Sequence, residues 1–312
     1  MPDLNKLIQE FDSKMSPLEL LIFNELSQHG VSMYVKRDDL IDAHLSGNKW
    51  RKLNYNLREA IRLEKPAILT FGGAYSNHIY AVAAAGRQFG LKTIGIIRGE
   101  APKEYGSTLR FASKCGMKLH FLSRSAYREK TIPQDIDLSS CYILPEGGTN
   151  CLGLKGCKRI VTEVQQQIPT HTKIDYWCTS SGTGGTASGI ISALNNDSNA
   201  LVFSALKGDF LKTDIQKLLE TCEAKTYNNW QLITDYHFGG YAKFKPELIE
   251  FINQFKSTTG IPLDPIYTGK MFYGIFDLLK KGFFEKGSTI VAVHTGGLQG
   301  VAGFNERFGG VH

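Results

Sequence analysis

From Pro66 onward the chain alternates short apolar runs with longer stretches of helical patterning. Ala67–Phe71 (AILTF) is strand-like and ends in Gly72-Gly73, and the alanine-rich Asn77–Phe89 has helical patterning that stops at Gly90. Thr93–Ile97 and Lys118–Leu122 are strand-like again. Ile174–Thr179 precedes a helical stretch over Gly184–Leu194, and Leu201–Leu206 precedes one over Leu211–Cys222. Thr289–His294 is the last strand, while near the N-terminus Met33–Arg37 reads as a strand and RKLNYNLREAI, after Lys49, as a helix. Strands alternating with helices of about ten residues or more predict βαβ units and an α/β fold with mostly parallel sheets. Runs as apolar as Thr289–Val293 suit strands covered on both faces. Glycine-rich turns fall at 72–73, 182–189 and 296–300, far apart in sequence. A single site must therefore be assembled from separate strand-to-helix junctions, at the carboxyl ends of the strands.

Composition narrows the classes. A length of 312 residues allows two α/β domains or one large one, and 42% apolar with 21% charged residues is ordinary for a soluble globular chain. No apolar run approaches the ~20 residues needed to span a bilayer. The opening MPDLNKLIQEFDSKMS has no apolar core of a leader, so the expected compartment is the cytoplasm, with no membrane partner. The net charge of +6 is spread among acidic residues instead of forming a basic block. That argues against nucleic acid as a partner and suits small anionic ligands. The six cysteines form no CxxC pair and no Cys/His cluster of metal spacing. They are expected to be buried or semi-buried thiols, with no metal site.

Four segments carry candidate chemistry. Thr179–Gly189 (TSSGTGGTASG) follows a strand-like run and opens a helix. Its backbone N–H groups, at the positive end of a helix dipole, form a phosphate cradle, with the hydroxyls of Thr183 and Thr186 as further donors. It lacks the lysine of an ATP-binding P-loop. A glycine-softened turn with a Ser/Thr cap is the plainer reading. Ser46–Leu53 (SGNKWRKL) sets Lys49, Arg51 and Lys52 at a helix start, where cations oppose the dipole. They are either solvated charges or the neighbours of an anionic partner. Gly72–His78 (GGAYSNH) offers Ser76 and Asn77 as helix caps. A lone His78 at such a place is more often structural than catalytic. Val291–Gly297 (VAVHTGG) puts the hydroxyl of Thr295 at a strand's carboxyl end, or simply closes a core strand.

Together these segments resemble the fold type II (tryptophan-synthase β-like) pyridoxal-phosphate enzymes, and more narrowly the family of D-cysteine desulfhydrase and 1-aminocyclopropane-1-carboxylate (ACC) deaminase. The matching stretches are VKRDDL…SGNKWRKL at 35–53, FGGAYSNH at 71–78, SSGTGGT at 180–186, DPIYTGK at 264–270 and HTGG at 294–297. They keep the family's order along nearly the whole chain. The resemblance implies two doubly wound, mostly parallel-sheet domains with pyridoxal 5'-phosphate in the cleft between them. It implies a large domain of 1–59 and 158–312 and a small inserted domain of 60–157. It implies that Lys49 is the Schiff-base lysine, with Lys52 near the cofactor phosphate and Thr183, Gly184, Gly185 and Thr186 as the phosphate loop. Asn77 matches the partner of the ring hydroxyl, Thr295 the partner of the pyridine nitrogen, and Ser76 a residue near the substrate carboxylate. Tyr267 matches a tyrosine near the ring, and Tyr241 a second active-site tyrosine. A homodimer is implied by the resemblance alone.

A Schiff-base lysine works only when partly neutral, and burial with neighbouring cations lowers its pKa; Arg51 and Lys52 are the candidate neighbours. A neutral hydroxyl at the ring nitrogen makes the cofactor a weaker electron sink and suits elimination. The ACC deaminases of the family have Glu where Thr268 stands, and SNQ where Ser76–His78 reads SNH. Both departures favour a D-cysteine desulfhydrase-like lyase/deaminase that converts a small D-amino acid to pyruvate, ammonia and sulfide. The alternatives are ACC deaminase, giving 2-oxobutanoate and ammonia, and a non-catalytic pyridoxal-phosphate-binding protein. Trp50, replacing a small polar residue typical of the family, is expected to narrow the site or change its substrate.

Overall fold

The computed structural model describes residues 4–13 and 15–312. Residues 1–3 and 14, part of the opening stretch read as carrying no leader, lie outside the described residues. Among the described residues ten strands form two sheets. In chain order the strands are β1 (Leu18–Leu20), β2 (Ser32–Lys36), β3 (Ala67–Gly73), β4 (Lys92–Arg98), β5 (Lys118–Leu122), β6 (Cys141–Leu144), β7 (Tyr176–Ser181), β8 (Asn199–Ser204), β9 (Trp230–Ile233) and β10 (Thr289–Val293). The first helices are α1 (Leu4–Asp12), α2 (Asn24–His29), α3 (Gly47–Arg62), α4 (Asn77–Phe89), α5 (Ser107–Lys114) and α6 (Arg124–Arg128). They are followed by α7 (Cys151–Gln167), α8 (Gly185–Leu194), α9 (Phe210–Glu223), α10 (Pro246–Thr259), α11 (Thr268–Lys280) and α12 (Gln299–Arg307).

The larger sheet runs β1-β2-β10-β7-β8-β9, parallel except for the edge pair β1–β2. The smaller sheet, β5-β4-β3-β6, is wholly parallel. The predicted α/β architecture with mostly parallel sheets is therefore the observed one. β10 shows the cause: all of Thr289–Val293 is buried. Val291 and Val293 enter the core shared with α7 and α8, while Ile290 and Ala292 enter the core on the opposite face, with α10 and α11. α4 has the predicted bounds. The Ser76 hydroxyl accepts from the N–H groups of His78 and Ile79, and Gly90 ends the helix at φ 68 with open space around it.

The sequence reading passed over β6 with α7, and β9 with α10 and α11. In α7, Gly153 and Gly156 blur the apolar period because neighbouring backbone lies against the helix there. A Cβ on Gly156 would sit 1.8 Å from the Arg51 carbonyl oxygen. α10 does carry its signs, with Pro246 at the first turn and left-handed Gly260 at the end. Ile8 and Phe11 of α1 and Leu53 and Leu57 of α3 share one core with Ile68 of β3 and Ile79 of α4.

The thiol expectation needs a correction. Cys151, at the start of α7, and Cys222, in the last turn of α9, form a disulfide with their Cα atoms 5.2 Å apart. They are separated by 71 residues in sequence, so only the α7–α9 packing brings them together. Cys115, Cys141, Cys157 and Cys178 are free, and the last three are buried. No helix among the described residues is long and apolar enough to cross a membrane.

Between the end of β2 and helices α3 and α7 lies a buried charge network. Arg51 donates to Asp38 at 2.8 and 3.0 Å and to both oxygens of Glu163, and Lys36 lies 2.9 Å from Glu163. The Ser16 hydroxyl donates to Asp38 at 2.6 Å, and Lys36 donates to the Ser16 carbonyl. All these side chains are nearly inaccessible to solvent. The anion that Arg51 needs is thus the protein's own, and Arg51 faces away from Lys49's surroundings. Removing one partner from such a network leaves a charge buried without compensation. Glu163→Gln is expected to cost ~3–5 kcal/mol of unfolding free energy, measured by denaturant titration. An unchanged midpoint would show that the network does not hold α3 in place.

Candidate active site

The carboxyl ends of β7 and β10 and the starts of α3, α4 and α8 converge. α3 is pinned to β10: Gly47, at φ 64, has its Cα so close to Thr295 that a Cβ would lie 2.0 Å from the Thr295 carbonyl oxygen. Asn48 N–H donates to that same oxygen at 3.1 Å. Only glycine tolerates both the left-handed angle and the approach. The result sets Lys49 at the sheet's edge, its Nζ 2.8 Å from Asn48 Oδ1. Asn48 Nδ2 in turn donates to Thr186 Oγ1 at 2.9 Å, tying the lysine to the start of α8. Burial, and then the Lys52 ammonium, bring the Lys49 amine down to about 7, with the Asp264 carboxylate acting in the other direction. Lys52, and not Arg51, is therefore the cation that acts on Lys49.

After β7 the chain turns through Gly184, at φ 80, whose N–H is held by Ser181 Oγ at 3.2 Å. Thr183 Oγ1 and Thr149 Oγ1 lie 2.6 Å apart, and each is 3.4 Å from Lys52 Nζ. A Cβ on Gly185 would lie 3.0 Å from that ammonium, so the space between loop and lysine excludes side chains. Lys52 is buried, which lowers its pKa, and among the described residues no carboxylate pairs with it or with Lys49. Free N–H groups at a helix start, two hydroxyls and an unpaired buried ammonium make a site for a dianion.

On the facing side, β3 ends in the turn that carries Ser76 and Asn77. Asn77 reaches the turn into α12: a Cβ on Gly297 would lie 3.0 Å from Asn77 Nδ2, and one on Gly300 would lie 3.2 Å from Oδ1. Thr295 is buried, with its hydroxyl 3.1 Å from Ser180 Oγ. Tyr267 lies over the loop, since a Cβ on Gly182 would approach its hydroxyl to 3.3 Å. The ring of Tyr241 meets that of Tyr267 edge-on, centroids 6.2 Å apart. Lost solvation raises both phenols, Tyr267 well above its ordinary value and Tyr241 while still 42% exposed, so their hydroxyls stay protonated.

Two of the residues singled out from sequence sit elsewhere. Trp50 does not narrow the site. It is buried on another face of α3, against Phe11 at 4.5 Å and Phe89 at 5.9 Å. Thr268 is fully enclosed, and its hydroxyl donates to Asp264 Oδ1 at 2.7 Å within a tight turn. Four neighbours were not anticipated. Asn48 and Thr149 hold the two lysines, and Asp264 accepts from the N–H groups of Ile266, Tyr267 and Thr268. Lys270, buried and lowered to about 8 by that burial, donates to the carbonyls of His237 and Gly240 and so holds the loop before Tyr241. The signal for Thr149 was present, because GGT occurs both at 147–149 and at 184–186.

A half-neutral amine beside an anion cradle suits a ligand that carries a carbonyl at one end and a phosphate at the other. The profile of the family described as pyridoxal-phosphate dependent enzyme matches residues 14–296. A bifunctional D-cysteine desulfhydrase/1-aminocyclopropane-1-carboxylate deaminase, mitochondrial, of Arabidopsis thaliana is 31% identical over 88% of this chain and 74% of its own. A D-cysteine desulfhydrase of Klebsiella pneumoniae is 28% identical over 90% of this chain and 91% of its own. A crystal structure described as an ACC deaminase homologue superposes with a TM-score of 0.84 at 28% identity, covering 98% of both chains.

With its amine at about 7, Lys49 is expected to react with an amine-directed reagent at a rate that rises through neutral pH. An ordinary lysine needs a pH near ~10.4. Peptide mapping after labelling over a pH series reads this, and a midpoint in the ordinary range would contradict the electrostatics described.

Proposed function

The chain belongs to the pyridoxal-phosphate-dependent enzymes, and from that premise we propose that it is a D-cysteine desulfhydrase-like lyase/deaminase with Lys49 as its cofactor-binding lysine and base. The observation that carries this reading is the Lys49 amine, lowered to about 7 beside the Lys52–Thr183 cradle. The bound cofactor supplies an aldehyde that captures the substrate amine and a ring that draws electrons from Cα.

Lys52, Thr183, Gly184, Gly185 and Thr186 would hold the phosphate. Asn77 would meet the ring hydroxyl and Thr295 the ring nitrogen. Thr295 is paired with Ser180, another hydroxyl, so no carboxylate holds a proton on that nitrogen. This favours a reaction in which charge leaves quickly with a β substituent. The substrate carboxylate would sit at the start of α4, on Ser76 and the neighbouring N–H groups, where the helix dipole favours an anion. Lys49, half neutral, would take the proton from Cα. The C–S bond would then break with its electron pair on sulfur, and the protonated phenols of Tyr267 and Tyr241 would position that leaving group. Water completes the conversion to pyruvate and ammonia.

The small sheet, bearing Ser76 and Asn77, would be the part that closes over the substrate and keeps bulk water from the reacting carbon. We place the small inserted domain at 60–157, between the two parts of the large one, 1–59 and 158–312. Residence in the cytoplasm and assembly as a homodimer belong to the same reading. The Cys151–Cys222 pair makes the compartment testable, because a reducing compartment keeps such thiols apart.

Ring opening of ACC is the second reading, supported by the two activities named together for the Arabidopsis relative. Thr268 weighs against it, because its side chain is tied to Asp264 and presents no acid to the cleft. Lys49→Ala is expected to lose the borohydride-fixable cofactor and ~10²–10⁴-fold of kcat. A panel of D- and L-amino acids with ACC, read by sulfide, pyruvate and 2-oxobutanoate, distinguishes the readings. Pyruvate and sulfide from D-cysteine support the first reading, and 2-oxobutanoate from ACC alone overturns it. A Lys49→Ala protein that keeps a reducible adduct removes the lysine assignment.

A further inference from the structure

The residues on either side of Ser76 both rest on α12. Tyr75 lies against the helix itself: a Cβ on Gly303 would sit 2.8 Å from its ring, and the Arg307 guanidinium stands 5.3 Å from the ring centre. Asn77 lies against Gly297 and Gly300, where α12 begins. The same helix reaches the start of α5, where Glu306 accepts from the Ser107 N–H at 3.2 Å and pairs with Arg110 at 2.6 Å. Gly106 joins the two contacts, since a Cβ there would lie 3.2 Å from the Tyr75 ring and 3.5 Å from the Glu306 carboxylate.

Among the described residues no apolar core crosses this seam between α5 and α12. Val301 and Phe304 of α12 pack in a core of the large sheet, and Leu109 and Ala112 of α5 in that of the small sheet. The Arg110 and Glu306 side chains are 55% and 36% exposed, so water and salt weaken their attraction. The Ser107 hydroxyl oxygen is buried there without a hydrogen-bond partner, which leaves the closed seam incompletely satisfied. Elsewhere the small sheet is held differently. Ile68 and Ile79 share a core with Phe11 of α1 and with Leu53 and Leu57 of α3. Separation there would expose that core, whereas the α5–α12 seam can part without unpacking either one.

We propose that Glu306 and Tyr75 are positioning residues of a clasp that holds the Ser76–Asn77 turn, and that the clasp opens at the α5–α12 seam to admit the amino acid and release its product. This rests on the proposed seat of the substrate carboxylate at Ser76 and names what governs access to it. A carboxylate on Ser76 steadies the turn that carries Tyr75, so substrate and clasp favour the same closed arrangement. Neither Glu306 nor Tyr75 moves a proton in the reaction. Loss of the clasp therefore weakens capture of the substrate and leaves the chemical step intact.

The test uses the full-length holoenzyme with D-cysteine. Glu306→Ala should raise KM ~3–10-fold and leave kcat unchanged or higher, because release is eased as well. Tyr75→Ala should behave in the same way. Tyr75→Phe keeps a ring against Gly303 and Arg307 and should stay within about twofold of the wild type in both constants. In Arg110→Cys/Glu306→Cys, a short bis-thiosulfonate reagent should join the two thiols and lower kcat at least ~10-fold, with recovery on adding a dithiol. Wild-type enzyme given both reagents supplies the baseline for its native thiols and for Cys151–Cys222. A wild-type KM in Glu306→Ala, a fall in its kcat of more than about threefold, or full turnover while cross-linked each overturns the inference. So does failure of the two thiols to join, since α5 and α12 would then not meet as described. Should Tyr75→Ala fail to fold, Glu306→Ala and the cross-link decide. A wild-type enzyme that releases no sulfide contradicts the proposed reaction instead. The absorbance change of the cofactor on mixing with D-cysteine then reads entry, and an entry rate that cross-linking leaves unchanged overturns the clasp.

Discussion

Four cations, three of them buried and Lys49 half-buried, crowd the region where α3 begins, and the rest of the site follows from how each is compensated. Arg51 and Lys36 are neutralised by Asp38 and Glu163 in a network closed to water. Lys49 and Lys52 receive only an amide oxygen and two hydroxyls. An ammonium taken out of water without a counter-charge costs several kcal/mol, and it either loses its proton or takes up an anion. Lys49 shows the first response and Lys52 suits the second. The same stretch of helix thus anchors the fold with one cation and leaves two available to a ligand.

Placement of that helix depends on backbone contact more than on side chains. Gly47 lies against the Thr295 carbonyl, and Gly156 lies against the carbonyl of Arg51. These contacts lock α3 between the end of β10 and α7. Because every strand except β1 runs parallel to its neighbours, the strands of each sheet end on one side, and the turns that follow β3, β7 and β10 converge there. Ser76 illustrates the economy of this arrangement: the hydroxyl that caps α4 also lies where an anion is favoured by the helix dipole. Capping and binding are therefore not alternatives at this residue.

The Tyr267 side of the site is organised by one carboxylate. Asp264 accepts from three consecutive N–H groups and from the Thr268 hydroxyl, which fixes the turn that presents Tyr267. Lys270, one turn further along α11, holds the loop before Tyr241 through two carbonyls. Thr268, singled out from sequence because the ACC deaminases of the family have Glu there, belongs to this scaffold.

Strand and helix alternation, the glycine turns and the family's motifs were legible in the sequence because each is a local pattern. The bounds of α4 followed from the Ser76 cap and Gly90, and the α/β class from buried runs such as Thr289–Val293. The direction of a side chain around a helix, and its distant partners, are not local. Lys49, Trp50, Arg51 and Lys52 are consecutive, yet they face Asn48, an aromatic core, a charge network and the hydroxyls of Thr149 and Thr183. Only the packing of α3 against α1, α4, α7 and the small sheet assigned those directions. The Cys151–Cys222 bond and the Arg110–Glu306 pair likewise depend on contacts between segments far apart in the chain, which no spacing encodes.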